Sequence, residues 1–240
     1  MKLSAGRVAS LRSARSARRR PDHRARDAAD FPGFIVYGCG TQGRAIIEFL
    51  RESSCYPDLR LTDDDRHIWG SEIFFAPVQP PLEAFANGPH RFVCAIGDNG
   101  VRRAIFRGLT ADGHLPDTVR HPAAIASPSA CIGEGSILMA RAVVDTEAQV
   151  GEGCLLNTAS AVAHHCEIGN FVHLAPGVML GGGVKIGDRA LLGLGAVVLP
   201  GLAVGKDAIV GAGAVVIRDV PEGATVAGNP AKALRLTPSR

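Results

Sequence analysis

Residues 131–187 read CIGEGS ILMARA VVDTEA QVGEGC LLNTAS AVAHHC EIGNFV HLAPGV MLGGGV KIG, and in blocks of six the second position is always Ile, Leu or Val. The column runs unbroken from Ile132 to Val216, fifteen consecutive positions. Four residues after each aliphatic the side chain is mostly small, as at Ser136, Ala142, Ala148, Cys154, Ser160 and Cys166. A fixed short period marks a repeat architecture in which each unit buries its apolar side only by stacking on its neighbours. A period of six with one branched aliphatic and one small residue reads as a parallel β-helix of triangular section. Each hexapeptide forms one flat side and 18 residues complete a coil, so fifteen steps give about five coils. The aliphatics stack up the interior, and small residues and glycines accommodate the corners. Cys154 and Cys166 fall on small-residue positions and read as packing. The His121-Pro122 segment reads as the lead-in, and Pro221 onward is expected to leave the helix.

The rest of the chain bounds the function classes. Of 240 residues, 46% are hydrophobic and 20% charged, ample for a buried core. No apolar run is long enough to span a bilayer. Six scattered cysteines with no CxxC pair argue against a disulfide framework or a cysteine zinc site and make a reducing cytoplasm the default location. Residues 1–30 carry nine Lys or Arg against three Asp, a balance of +6, so the net +3 of the chain leaves −3 for residues 31–240. The positive charge belongs to this Arg-rich segment, and nothing in the body asks for nucleic acid. The segment reads as a disordered tail or an over-extended start, with an organelle presequence or an arm docking on an acidic surface as the alternatives.

Order begins at Phe34-Ile35-Val36-Tyr37, a buried-strand pattern, followed by Gly38-Cys39-Gly40-Thr41-Gln42-Gly43 and a stretch with apolar residues at helical spacing. Strand, glycine turn and helix together can present free N–H groups to a diphosphate; the alternative is a tight turn with no ligand. A second strand-like run, Leu59-Arg60-Leu61, ends in Asp63-Asp64-Asp65, where a Rossmann-type unit holds a ribose hydroxyl. A third, Arg91 to Ile96, ends in Gly97-Asp98-Asn99 and precedes Arg102-Arg103 on a helix. Three short strands make half a doubly wound fold, enough for a mononucleotide or a nucleotide sugar, and NAD is disfavoured. Candidate substrate-binding residues are therefore Gly38, Gly40, Thr41, Gln42, Gly43, Asp63, Asp64, Gly97 and Asn99. The expected organisation is a tail over 1–30, a Rossmann-like nucleotide-sugar-binding domain over 31–115 and a β-helix domain over 116–240.

The repeats, with the terminal stretch Gly211 to Gly223 and Gly228-Asn229-Pro230-Ala231-Lys232, resemble the hexapeptide-repeat acyltransferases. With the glycine-turn domain, the Asp run and Ile96-Gly97-Asp98-Asn99, residues 34–235 look like the sialic acid O-acetyltransferase and bacillosamine acetyltransferase group (NeuD/PglD-like). That resemblance implies a small Rossmann-like α/β domain followed by a left-handed parallel β-helix, a homotrimer, and acetyl-CoA as co-substrate with no metal. It also implies acetylation of an amino or hydroxyl group on a sugar, often a nucleotide-linked amino sugar for glycan synthesis. By the same resemblance His164 is the general base, His173 contacts the acetyl-CoA end and Asn157, seven residues before the base, lies in the site.

Acetyl transfer from a thioester needs a base for the acceptor's proton and a donor for the developing oxyanion. Histidine suits the first role near neutral pH. Here the chain departs from the group it resembles, whose members usually carry Asp or Glu directly after the base; this one has His165. One coil before His165 is Glu147, about 4.8 Å away along the stack, which is expected to supply or share the carboxylate role. One coil after His164 is Gly182, whose backbone N–H is a candidate oxyanion donor, the alternative being a bare corner. Pro176, Leu194 and Ala212, 18 apart, are expected to line a track for the pantetheine arm, and Lys232 either meets a coenzyme phosphate or is a surface lysine. Zinc catalysis of the γ-carbonic-anhydrase kind needs a His-x4-His pair, whereas His164, His165 and His173 are spaced one and eight apart. A non-catalytic nucleotide-sugar-binding scaffold is the other class weighed.

Overall fold

The computed structural model describes residues 33–52, 56 and 58–234; the Arg-rich segment over 1–30 lies outside them. β1 (Phe34–Tyr37) is buried at all four positions because it is the inner strand of a sheet, paired in parallel with β2 (Leu59–Thr62) and β5 (Arg91–Cys94). After the glycine turn, α1 (Thr41–Glu52) buries Ile46, Ile47, Phe49 and Leu50. A hairpin, β3 (Glu72–Ile73) and β4 (Ala76–Gln79), extends the sheet beyond β2 and leads into the short α2 (Pro81–Ala84). α3 (Asn99–Ala111) is capped by Asp98, whose carboxylate accepts the Val101 N–H at 2.8 Å. β6 (Leu115–Pro116) then pairs with β5, giving six strands in the order β3-β4-β2-β1-β5-β6. The three strands expected from sequence are the middle of this sheet, and β5 stops at Cys94 rather than Ile96.

The repeat forms two-residue rungs six residues apart, from β7 (Val119–Arg120) to β23 (Val215–Val216). Each rung pairs in parallel with the rung 18 residues on, as Ile137 with Leu155 and Gln149 with Glu167. Three flat faces result. The second residue of each rung points inward, and the interior column (Leu138, Val144, Val150, Leu156 and onward) is buried to its end at Val216. The first residue points outward and gives each face its character. The first face carries Val119, Ile137, Leu155, His173, Leu191 and Ile209; the second carries Ile125, Val143, Ala161, Met179, Val197 and Val215; the third carries Cys131, Gln149, Glu167, Lys185 and Ala203.

Corner geometry explains the rest of the six-residue pattern. From Gly135 to Gly213 every sixth residue has positive φ, whether glycine or not: Arg141, Glu147, Ala159, His165, Phe171, Arg189 and Asp207 all lie between 55° and 59°. Where the third face turns into the first, Gly133, Gly151, Gly169, Gly187 and Gly205 stack in a column. A Cβ on Gly187 would come within 2.4 Å of the Lys206 nitrogen one coil away, so the coils close at that corner only without side chains.

Two boundaries differ from the reading of the sequence. The helix starts at Val119, so His121-Pro122 is its first corner and not a lead-in; Arg120 and Ala126 occupy the aliphatic column there and hide the first two rungs. Beyond Pro221, β24 (Thr225–Ala227) still adds a parallel rung on Ile209–Val210, after a step of 16. β25 (Lys232–Ala233) then folds back antiparallel on β24.

The α/β layer covers the lower part of the first face. Val119, Ile137 and Leu155 share one apolar cluster with Ile46, Ile47 and Leu50. Phe171 packs edge-on against Phe106 of α3, with centroids 5.2 Å apart. Arg102, also on α3, is fully buried. Its guanidinium donates to the carbonyls of Gly153 (2.8 Å), Ile96 (2.8 Å) and Phe171 (3.0 Å) and to Asn99 Oδ1 (2.7 Å). One side chain thus stitches the sheet, α3 and two coils together.

Candidate active site

At the corner between the second and third faces, His165 and Glu147 occupy the same left-handed position one coil apart (φ 59° and 56°). This identical backbone geometry aims their side chains along one line. His165 Nε2 lies 3.2 Å from Glu147 Oε2, and His165 Nδ1 lies 3.0 Å from His164 Nδ1. His164 is exposed, and its ring rests on Gly182 of the coil above. A Cβ at position 182 would sit 2.5 Å from His164 Cε1 and 2.7 Å from Nε2. Coil arithmetic puts Gly182 in this column as a candidate oxyanion donor or a bare corner; the geometry adds that the His164 ring lies over it. Gly182→Ala is therefore expected to lower kcat about 10- to 100-fold by displacing the ring, with little change in melting temperature, read from kinetics and a thermal melt.

A second set of residues gathers where the first face meets the α/β layer. Asn157 ends the rung Leu155–Leu156; its Nδ2 donates to Gln42 Oε1 of α1 at 2.9 Å, and its Oδ1 accepts the Thr158 N–H at 2.8 Å. Above it, Pro176, Leu194 and Ala212 form the expected column at the corner between the first and second faces. Leu194 is 61% exposed, an apolar surface that suits a pantetheine arm. Lys232 is exposed on β25.

His173 stands on the first face next to this contact. Its Nδ1 donates to the Gly97 carbonyl at 3.2 Å, so its Nε2 carries a lone pair, and that atom is buried with no partner. Burial, reinforced by the Arg102 guanidinium, pushes its pKa down to about 4. The unfolded chain then binds a proton near pH 6.5 that the folded chain refuses until about pH 4. Stability is complete above 6.5 and falls between 6.5 and 4, by at most about 3 kcal/mol from this residue. His173→Asn, which keeps a donor for Gly97, is expected to reduce the acid-side slope of melting temperature in that window. His114, also lowered by burial, continues to contribute a slope of the same sign.

The glycine turn separates structural glycines from unexplained ones. Gly38 has φ 105°, and a Cβ on Gly43 would lie 1.9 Å from the Gly38 carbonyl, so both are demanded by the fold. Gly40 and Gly97, at the carboxyl ends of adjacent strands, have neither positive φ nor any atom within 4 Å of a Cβ. Their bare backbone leaves room beside the N-terminus of α1, next to Thr41, where a phosphate is favoured. Asp63 accepts from the Cys39 N–H (2.6 Å) and the Asp65 N–H (2.9 Å), and Asp64 accepts from the Tyr37 hydroxyl (2.6 Å). Asn99 differs from expectation: its Oδ1 holds Arg102 and its Nδ2 donates to the Arg189 carbonyl at 2.9 Å, so it joins layers rather than facing a ligand.

Within one chain His164 and Glu147 stand at one corner, while Asn157 and the Pro176 column stand at another, with the second face between them. Arg102 is the residue that sequence reasoning missed. Cys154 and Cys166 are both buried, and burial raises the Cys154 thiol to about 11 and also raises Cys166, in keeping with a packing role. Among the described residues no group of three His, Cys, Asp or Glu side chains is placed to hold a metal ion, and no helix is long and apolar enough to cross a membrane.

Comparison with known proteins adds the following. Residues 34–109 match the family described as PglD N-terminal domain, and residues 183–218 that described as hexapeptide repeat of succinyl-transferase. Over 110 residues the chain is 35% identical to the UDP-N-acetylbacillosamine N-acetyltransferase of Bacillus subtilis (strain 168), a match covering 44% of this chain and 50% of that protein. The acetyltransferase domain of PglB from Neisseria gonorrhoeae FA1090 is 36% identical with a TM-score of 0.80, covering 84% of this chain and 98% of that domain. That domain has also been solved in complex with acetyl coenzyme A. PerB from Caulobacter crescentus, solved with CoA and GDP-perosamine, is 34% identical with a TM-score of 0.77, covering 85% and 97%.

Proposed function

The chain belongs to the PglD-like group of hexapeptide-repeat, acetyl-CoA-dependent acetyltransferases, and we propose that it moves the acetyl group of acetyl-CoA onto the amino group of a nucleotide-linked amino sugar. One observation carries this reading: His164 is exposed and hydrogen-bonded through Nδ1 alone, so that Nε2, lying over the bare Gly182, has no hydrogen-bond partner of its own among the described residues. His164 Nε2 takes the proton of the attacking amine as the new C–N bond forms, then returns it to the departing CoA thiolate. In this reading residues 31–115 hold the nucleotide, with Gly40, Thr41 and Gly97 next to its phosphates and Asp63 or Asp64 at the ribose. Residues 116–240 carry the transfer, with Pro176, Leu194 and Ala212 along the pantetheine, Lys232 at a coenzyme phosphate and His173 near the acetyl end. The five described cysteines are unpaired, in keeping with the reducing cytoplasm we assign to the reaction.

The outward side chains of the second face support a homotrimer. Every one is apolar, and Ile125 and Met179 are 63% and 49% exposed, whereas the α/β layer covers the lower part of the first face and the third carries Gln149, Glu167 and Lys185. A second copy lying over that face in a closed ring would bring the His164 corner of one chain to the Asn157 and Pro176 corner of the next. Light scattering is expected to give the mass of three chains.

The test of the reaction is thiol release from acetyl-CoA across UDP-, GDP- and CMP-linked amino sugars and free sialic acid. Turnover with a nucleotide amino sugar supports the proposal, and turnover with sialic acid alone replaces N- by O-acetylation. Nucleotide-sugar binding with no turnover would favour a binding protein.

A further inference from the structure

We propose that Glu147 and His165 act in series on His164, so that the carboxylate behind the base comes from the coil below and reaches it through a second imidazole. The inference rests on the reading of His164 as the base and adds two positioning residues to it.

The argument follows the protons. Glu147 Oε2, as a carboxylate oxygen, can only accept, so the 3.2 Å contact requires a hydrogen on His165 Nε2. A neutral imidazole has one N–H, so His165 Nδ1 is then an acceptor. The 3.0 Å contact between the two Nδ1 atoms therefore takes its hydrogen from His164. His164 is left with Nε2 unprotonated, the form a base needs, and the tautomer is dictated two residues away. When His164 Nε2 gains a proton from the amine, its Nδ1 proton can pass to His165 Nδ1. His164 is then neutral with hydrogen on Nε2, and the imidazolium sits on His165 against Glu147. Return of the Nδ1 proton restores His164 as the acid that protonates the thiolate, with no proton gained or lost over the cycle.

Among the described residues no other acidic side chain contacts the trio. Of the neighbouring acids, Asp145 accepts the Thr146 N–H at 2.6 Å, and Glu167 on the third face is paired with Lys185 at 3.1 Å. The coil above offers only Gly181, Gly182 and Gly183, and the Glu147 N–H donates to Ser129 Oγ of the coil below at 3.1 Å. Glu147 and His165 are 64% and 60% exposed in the single chain, where an ion pair contributes little to folding, so variants at either position should fold. The corner also tolerates the replacements needed, because Ala159 and Glu147 themselves adopt the same φ.

The test is a set of pH–rate profiles with an amino-sugar acceptor for wild type, Glu147→Gln, His165→Ala, the double variant and His165→Glu. Glu147→Gln is expected to lower kcat about 10- to 100-fold, leave KM for acetyl-CoA within about twofold, and move the acidic limb to lower pH, since the protonated base has lost its counter-charge. His165→Ala should cost a similar factor, and the double variant should cost no more than His165→Ala alone, because the path is already cut. His165→Glu places a carboxylate beside the base directly; it should keep substantial activity that no longer depends on Glu147. A Glu147→Gln enzyme with wild-type rate and profile, or losses that multiply in the double variant, would overturn the relay. Full activity in His164→Ala would instead overturn the base assignment itself, so the two failures are told apart.

Discussion

His164→Ala is expected to lower kcat by about 10²- to 10⁴-fold while acetyl-CoA still binds. The factor is that of a positioned base acting on an amine proton, and the column proposed for the coenzyme, Pro176, Leu194 and Ala212, stands at another corner of the same chain. Truncation at an exposed residue leaves no buried group without a partner, so the melting temperature should stay within a degree or two of wild type. Kinetics should show kcat and kcat/KM falling together, the signature of an interaction made in the transition state. Equilibrium binding of CoA, measured by calorimetry, separates loss of chemistry from loss of the site. A variant that turns over normally would remove His164 from the mechanism.

The largest effect on stability is expected at Arg102. Its guanidinium remains charged, since burial lowers its pKa only to about 10, and it makes no ion pair among the described residues; backbone carbonyls and Asn99 solvate it. Arg102→Met would fill similar space but strand the Gly153, Ile96 and Phe171 carbonyls in a dry junction. The expected cost is about 3–5 kcal/mol, a fall in melting temperature of roughly 10 °C. Arg102→Lys should be nearly as damaging, because one ammonium cannot reach carbonyls that a planar fork spans on both sides. Differential scanning calorimetry decides the point, and a change below about 1 kcal/mol would mean that water takes over the bonds.

Arg102 also shows where reading a sequence stops. An arginine beside another on a helix looks like solvated surface, and its partners are carbonyls, which every residue has and no motif marks. The hexapeptide column was legible because one branched residue per side is a physical requirement of stacking. It failed at the two ends: Arg120 and Ala126 replace the aliphatic and hid two rungs, and the shortened step of 16 beyond Pro221 hid the rung Thr225–Ala227. The β3–β4 hairpin escaped notice because Phe74 and Phe75 take the positive-φ turn positions that glycine or asparagine usually advertise. Coil arithmetic placed Glu147 beside His165 correctly, since an 18-residue step is rigid. It put Gly182 in the right column without showing that the His164 ring lies over it, because spacing tells which residues are stacked and not which side chain leans over which. The commitment of Asn99 to the layer junction likewise depends on a contact 90 residues away.

The antiparallel return of β25 on β24 bears on how the molecule avoids its own kind. A parallel stack of identical rungs is a template: its last coil offers the same unsatisfied backbone groups that the preceding coil used to order it, and another molecule's first coil could dock there. Because Ala227 and Val226 are paired with a strand running the other way, the register that would accept one more rung is already taken. End-to-end growth is thereby terminated by topology, without charge or bulk, and a fold built by repetition remains an object of fixed length.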